Sequence, residues 1–98
     1  MPLPIKWNKH AIHQLARAIG YIEKESVQNA EKVKNDLLAE ISALVANPGK
    51  YNPDKYHIQN DGSFRAFELH RYRVSYRYTH KEIRIVRIRH TKRNPKPY

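Results

Sequence analysis

Apolar residues recur at two different spacings, three or four residues apart in the first half of the chain and two apart in the last third. The first spacing predicts a helix from a cap at Asn8 to about Glu25. It predicts a second helix from a cap at Ser26 to the stop signal Asn47-Pro48-Gly49. The short apolar run Leu3–Trp7 precedes both helices, and Pro2 and Pro4 favour a strand at a sheet edge.

The rest of the chain predicts a loop followed by strands. Residues 48–63 are rich in Pro, Asn, Asp and Gly, which is typical of a loop. Three strands are expected after it, at Phe64–His70, Arg71–Tyr78 and Ile83–Ile88. Because Pro95 and Pro97 lie in the tail that follows, residues 89–98 should be extended rather than helical.

The middle strand alternates between apolar and cationic side chains. Its two sides are Tyr72, Val74, Tyr76 and Tyr78, and Arg71, Arg73, Ser75 and Arg77. Residues two apart on a strand point the same way about 7 Å from each other. We therefore expect the tyrosine side to pack on the helices and the arginines to form a row in solvent.

These elements predict one α+β domain over residues 1–98, in the order β-α-α-β-β-β. The break between the helices is short, so they should form an antiparallel hairpin on one face of a mainly antiparallel four-stranded sheet. The third strand of the β-rich part changes phase between Ile85 and Val86. That change indicates either a central strand buried on both faces or a β-bulge.

Charge is distributed very unevenly along the chain. Residues 64–98 contain eleven Lys and Arg against two acids, and so carry +9 of the formal net charge of +10. Residues 1–63 are nearly neutral. Concentrated positive charge of this kind favours a polyanionic partner, with nucleic acid the first candidate.

Several classes of protein fit the composition poorly. Without cysteine there is no disulfide framework or thiolate chemistry, which favours a reducing cytoplasm. No apolar run approaches the length that spans a membrane, so no membrane partner is expected. His10 and His13 have weak metal-ligand spacing and lack a third ligand in register, so we expect neither a metal nor another cofactor.

Two residues of the tail have side chains suited to proton transfer. His90 ends the third strand of the β-rich part beside several fixed cations, where an imidazole can exchange protons near neutral pH. A structural or merely exposed His90 is the alternative. Tyr98 can stack on a base or use its hydroxyl in proton transfer, unless the end of the chain is frayed.

The chain resembles the RelE/ParE superfamily of toxins from bacterial type II toxin–antitoxin pairs. The residues that carry the resemblance are Phe64-Arg65-Ala66-Phe67-Glu68, Tyr72-Arg73-Val74-Ser75-Tyr76 and the run from Ile85 to Arg93. The resemblance covers essentially the whole chain. It rests on the ordered spacing of these short motifs together with the order of the predicted elements.

The RelE-like branch implies ribosome-dependent cleavage of mRNA, in which a 2′-hydroxyl attacks the adjacent phosphate without a metal. By this resemblance Arg73 stabilises the phosphorane, and Lys92 or Arg93 supplies a further cation. The implied catalytic set is Arg65, Arg73, His90, Arg93 and Tyr98. The implied RNA-binding set is Arg71, Arg77, Arg87, Arg89 and Lys92. The tail chemistry favours this endoribonuclease function.

The ParE-like branch implies a different activity, non-enzymatic poisoning of DNA gyrase, and it is the alternative. Two lysines of RelE are replaced here near Phe64 and Ala66, and Arg65 resembles an arginine of ParE-like members. A plain RNA-binding module is a third reading, with tyrosines of the middle strand as stacking platforms. Either toxin branch implies an acidic antitoxin as partner, with the ribosome and mRNA, or gyrase, as the target.

Overall fold

The computed structural model describes residues 2–92 and 97–98. Its elements, in chain order, are β1 (Ile5–Trp7), α1 (Lys9–Glu23), α2 (Val27–Ala43), β2 (Phe64–Leu69), β3 (Tyr72–Tyr78) and β4 (Ile83–His90). The predicted order of helices and strands is confirmed. The second helix ends at Ala43, a few residues before the predicted stop, and short turns continue to Asn47.

One four-stranded sheet contains every strand of the described residues, in the order β1-β4-β3-β2. β1 runs parallel to β4, whereas β3 pairs antiparallel with both β4 and β2. The first strand therefore lies at a sheet edge, as its prolines predict, and β4 is central. This arrangement confirms the predicted α+β fold with two helices on a mixed sheet.

The core lies between the helical hairpin and one face of the sheet. Leu37 and Ile41 of α2 pack there against Tyr76, Ile83 and Ile85, and none of these five is more than 2% exposed. The buried tyrosine side of β3 is thus confirmed, except that Tyr78 at the end of the strand is 36% exposed. Burial raises the pKa of the Tyr76 hydroxyl to about 12, and that hydroxyl donates to the Pro48 carbonyl.

The phase change in β4 is a β-bulge. Ser75 lies opposite Arg87 but Tyr76 lies opposite Ile85, so Val86 is the extra residue on the bulged strand. The strand continues to His90, two residues beyond the predicted end. The bulge keeps Ile83, Ile85 and Ile88 in the core and directs the arginines between them to the opposite face.

The turn between β2 and β3 corrects the predicted strand ends. His70 and Arg71 were expected inside strands, but they form a two-residue turn with positive φ angles of 52° and 67°. Such turns usually contain Asn-Gly or Asp-Gly, and His-Arg gives no such signal. Arg71 consequently lies outside β3.

Candidate functional site

The sheet face opposite the helices, called here the outer face, is partly covered by the loop before β2 and by Tyr98. The Tyr98 N–H donates to the Tyr56 carbonyl at 3.0 Å, and the Ile58 N–H donates to the Tyr98 carbonyl at 2.6 Å. The Asp54 N–H donates to the Phe64 carbonyl at 2.7 Å. These backbone bonds hold Tyr98 in place, so it is not the frayed residue that chain ends tend to be.

The Asp54 carboxylate is the centre of this cover, and its side chain is fully buried. Its Oδ1 accepts from Arg73 Nη2 at 2.9 Å and from the Tyr56 N–H at 3.1 Å, while Oδ2 accepts from the Tyr98 hydroxyl. Burial by itself raises the pKa of Asp54, but the bonds from Tyr98 and Arg73 outweigh it and lower that pKa. The site therefore holds a buried carboxylate in its charged form.

Arg73 is held by acids on two sides. Besides Asp54, it contacts Glu68 through Nη1 at 2.9 Å, and its Cζ lies 4.8 Å from the centre of the Tyr56 ring. Burial lowers the pKa of Arg73, and the two carboxylates more than compensate, so the net pKa is raised. Its side chain is only 18% exposed. The expectation of an open, solvated Arg73 is wrong, because the loop supplies an acid that the strand pattern does not reveal.

Arg87 lies over Tyr98 on the same face. Its Cζ is 4.4 Å from the centre of the Tyr98 ring, a cation–π contact. Burial and the neighbouring charge of Arg89 lower the pKa of Arg87. Burial and the bond to Asp54 raise the pKa of the Tyr98 hydroxyl. The tyrosine is therefore a neutral phenol whose ring contacts Arg87 and whose hydroxyl donates to Asp54, the ion-pair partner of Arg73.

A small pocket on the outer face brings five of the predicted site residues together. These are Arg73, Arg87, Arg89, His90 and Tyr98. Glu68, Ser75 and Thr91 complete the polar part of its lining, and the aromatic ring of Tyr56 forms one wall. Such a pocket fits a small anionic group, since its charged groups are mainly cationic.

Arg65 does not reach this pocket. It lies opposite Tyr76 in the β2–β3 register, on the helix-facing side of the sheet, and its Nη1 donates to the Tyr51 carbonyl. Its Nε is buried with no hydrogen-bond partner among the described residues. Arg65 and Arg73, both in the implied catalytic set, are therefore not brought together, because Arg65 shares the face of Tyr76 and successive residues of a strand face opposite ways.

The predicted arginine row is also broken. Arg71 lies in the β2–β3 turn, and Arg73 is bound by its acids. Arg77 alone of the three is both on β3 and exposed, with Nε donating to Ser63 Oγ at 3.1 Å. Arg73 and Arg77 do share the outer face, but the expected solvent-exposed row of three arginines is wrong, because Arg71 is outside the strand and Arg73 is bound to two carboxylates.

At the end of β4, His90 uses one ring nitrogen locally. Nδ1 accepts from the Lys92 N–H at 3.0 Å, and the ring lies edge-on to Tyr72 with centres 5.1 Å apart. Lys92 itself is exposed. Arg93, a member of the implied catalytic set, lies outside the described residues.

Asp54 and Tyr56 belong to the site but are not predicted from the sequence. Both occur in a loop whose composition indicates only irregular structure, and no local spacing identifies either as a partner of a strand 19 residues away. The one available signal is that Asp54 is an acid within three residues of Tyr51 and Tyr56, in a chain whose cationic strands need counter-charges. That signal is too general to assign the pair.

A second groove lies between α1 and β4, with a volume of about 500 Å³. Its apolar lining includes Ala18, Tyr21 and Ile88, and Tyr21 is 66% exposed. β1 pairs only with Ile83–Ile85 of β4, and beyond that point Gln14 Oε1 accepts from the Ile88 N–H at 2.7 Å. The groove therefore combines exposed apolar surface with the edge of β4 beyond β1, where the Gln14 side chain bonds one backbone N–H.

Within residues 2–92 and 97–98, no three His, Asp or Glu side chains cluster in a way that could hold a metal ion. In the same part of the chain, no helix has the length and apolar character needed to cross a bilayer.

Comparisons with known proteins agree with the fold. A sequence profile of the family described as "ParE toxin of type II toxin-antitoxin system, parDE" matches residues 5–95. Among solved structures, a chain of the "Chromosomal ParDE TA system from P. aeruginosa" is similar with a TM-score of 0.73 and 23% identity, over 92% of this chain and 97% of that one. No curated protein gives a significant match.

Proposed function

Because the chain belongs to the ParE toxin family of type II toxin–antitoxin systems, we propose that it acts as a non-enzymatic poison of DNA gyrase. The profile match over residues 5–95 is the observation that carries this proposal. It favours the gyrase reading over the mRNA cleavage that the tail chemistry suggested. In this proposal the toxin traps gyrase on cleaved DNA and performs no bond-breaking step of its own.

The geometry of the outer face supports a binding role. Arg73 is bound to two carboxylates, and Arg65 lies on the other side of the sheet. A phosphorane-stabilising arginine needs donors aimed at the reacting phosphate before the reaction begins. Nη1 and Nη2 of Arg73 already donate to Glu68 and Asp54, so a phosphate would have to displace a charge-assisted bond.

Ribonuclease activity is the second candidate, because one pocket contains Arg73, Arg87, Arg89, His90 and Tyr98. The pocket is suited to a phosphate. However, the Tyr98 hydroxyl already donates to Asp54, and its pKa is raised, which makes it a poor base at neutral pH. We rank this candidate below gyrase poisoning for that reason.

A toxin of this class has an antitoxin partner, and we infer that a segment of the antitoxin occupies the groove between α1 and β4. Exposed Tyr21 and the partly covered edge at Ile88 support this placement, since an extended or helical segment can bury both. The cationic last third of the chain suits an acidic segment. Binding is expected to order that segment.

Induced expression in bacteria separates the two candidates. Pulse labelling with thymidine and methionine shows whether DNA synthesis or protein synthesis stops first. Gyrase poisoning predicts an early fall in thymidine incorporation while translation continues, followed by the DNA-damage response. An early loss of methionine incorporation, with DNA synthesis unaffected over the same interval, contradicts the proposal and supports mRNA cleavage.

A further inference from the structure

Cations from three neighbouring strands share the outer face and form what we call the cationic grid. Its members are Lys6, Arg77, Arg84, Arg87 and Arg89. The β-register places Lys6 beside Arg84 and Arg84 beside Arg77, so one row of positive charge crosses β1, β4 and β3. Neighbouring strands are about 4.8 Å apart, which sets the spacing within this row.

This arrangement costs stability unless an anion is bound. Arg77 and Arg84 are directly opposite each other on antiparallel strands, where like charges are unfavourable. Glu82 offsets part of that charge through a 2.6 Å contact with Arg84. Neither Arg77 nor Arg89 has a carboxylate within ion-pair distance among the residues that the structure describes.

The aromatic rings of this face are already in contact with other groups. His57 stacks on Phe64 with centres 3.6 Å apart, and the Cζ of Arg77 is 5.1 Å from the same ring centre. Tyr98 and Tyr56 have arginine guanidinium groups over them in the same way. Proteins that bind single strands stack bases on aromatic rings, and these rings are engaged in holding arginines. A surface of fixed cations whose aromatic rings already contact arginines is suited to the phosphates of a duplex.

We propose that the cationic grid binds the backbone of double-stranded DNA directly, without sequence preference. The choice of DNA over other polyanions rests on the proposed function, since gyrase acts on a DNA duplex. The surface would let the toxin contact the DNA that gyrase holds as well as the enzyme. The helical layer contributes little, because residues 1–63 carry a net charge of only about +1.

Fluorescence anisotropy with a short labelled duplex tests this without gyrase. Binding is measured for the whole chain from about 50 to 200 mM salt, where phosphate contacts show a steep salt dependence. The triple variant Lys6→Gln/Arg77→Gln/Arg89→Gln should reduce the slope of log affinity against log salt by about 0.9 for each cation removed. Lys24 is an exposed lysine after α1 and is not part of the cationic grid. Lys24→Gln therefore controls for the loss of a positive charge elsewhere on the surface and should leave the slope unchanged.

Three results would overturn the inference. They are no duplex binding at the lowest salt, an equal loss in Lys24→Gln and the triple variant, and tighter binding of the matching single strand than of the duplex. Circular dichroism shows whether the triple variant folds. If the triple variant does not fold, the single variant Arg77→Gln is measured instead, and its slope should change by about 0.9. Trapping of gyrase without duplex binding would remove this inference and leave the proposed function intact. Duplex binding without trapping of gyrase would remove the proposed function and leave the observed DNA binding by the cationic grid intact.

Discussion

The carboxylate of Asp54 forms a 2.9 Å ion pair with Arg73, although the two residues are 19 positions apart and belong to a loop and a strand. The Asp54 side chain is fully buried and that of Arg73 is 18% exposed. A pair in such surroundings is costly to break, because one partner is left charged without its counter-ion. The pair therefore fixes the loop on the outer face and limits what Arg73 can bind.

Asp54→Ala should destabilise the protein by about 3 kcal/mol, the lower end of what removal of one partner from a buried pair costs. The lower end is expected because Glu68 still contacts Arg73. Urea unfolding followed by circular dichroism measures the change. Glu31→Ala is the matched control, since Glu31 pairs with Lys34 on the surface and should cost less than about 1 kcal/mol. Equal losses in the two variants would show that the Asp54 pair has no special role.

The stabilisation by Asp54 should depend on pH in a defined direction. Its folded pKa lies below the ordinary value of 3.8, so the charged form favours the folded state. The stabilisation is complete above that ordinary value and is lost as pH falls through the lower, folded value. The difference in unfolding free energy between the wild type and Asp54→Ala, measured at a series of pH values, should be constant near neutrality and shrink in acid. A difference that grows in acid contradicts this account.

Tyr98→Phe tests the hydroxyl separately from the ring. The variant loses the bond to Asp54 but keeps a ring beneath Arg87, so we expect a loss of about 1–2 kcal/mol in unfolding free energy. Tyr98→Ala removes the cation–π contact as well and should cost more. Thermal unfolding compares the two variants. No loss in either one would mean that Tyr98 does not hold the outer face together.

Arg71→Gly should stabilise the protein. Arg71 has a φ of 67°, which costs a residue with a Cβ about 1–2 kcal/mol. Glycine removes this cost, but it loses more conformational entropy on folding, which offsets part of the gain. A net gain of about 0.5 kcal/mol in unfolding free energy is expected from the difference between these effects. Arg71→Ala retains the Cβ and should bring no gain. A loss of stability in Arg71→Gly would indicate that the arginine side chain contributes contacts of its own.

Much of the fold follows from local patterns, as three particular elements illustrate. Ser26 was expected to cap α2, and its Oγ accepts from the Asn29 N–H at 3.0 Å. The alternation around Val74 identified the buried face of β3. The phase change at Val86 indicated either a central strand buried on both faces or a bulge, and the register shows the bulge. Each of these depends on residues close together in sequence, where periodicity and side-chain chemistry are sufficient.

The candidate site was harder to predict because it depends on contacts between distant segments. The strand pattern places Arg73 on the outer face correctly, but the loop that brings Asp54 to it has no period from which to infer its path. The same limit applies to Tyr98, whose docking depends on Tyr56 and Ile58. Arg71 was misplaced for a local reason, a turn without the usual Asn-Gly signal.

Poisoning of gyrase by this chain can be measured as the amount of linear plasmid that purified gyrase leaves after denaturation in the presence of the toxin. If the chain poisons gyrase, linear DNA accumulates with toxin concentration and requires gyrase, with none formed by the toxin alone. Linear DNA that stays at the level of the toxin-free control, while programmed ribosomes treated with the same preparation yield cut message, would contradict it.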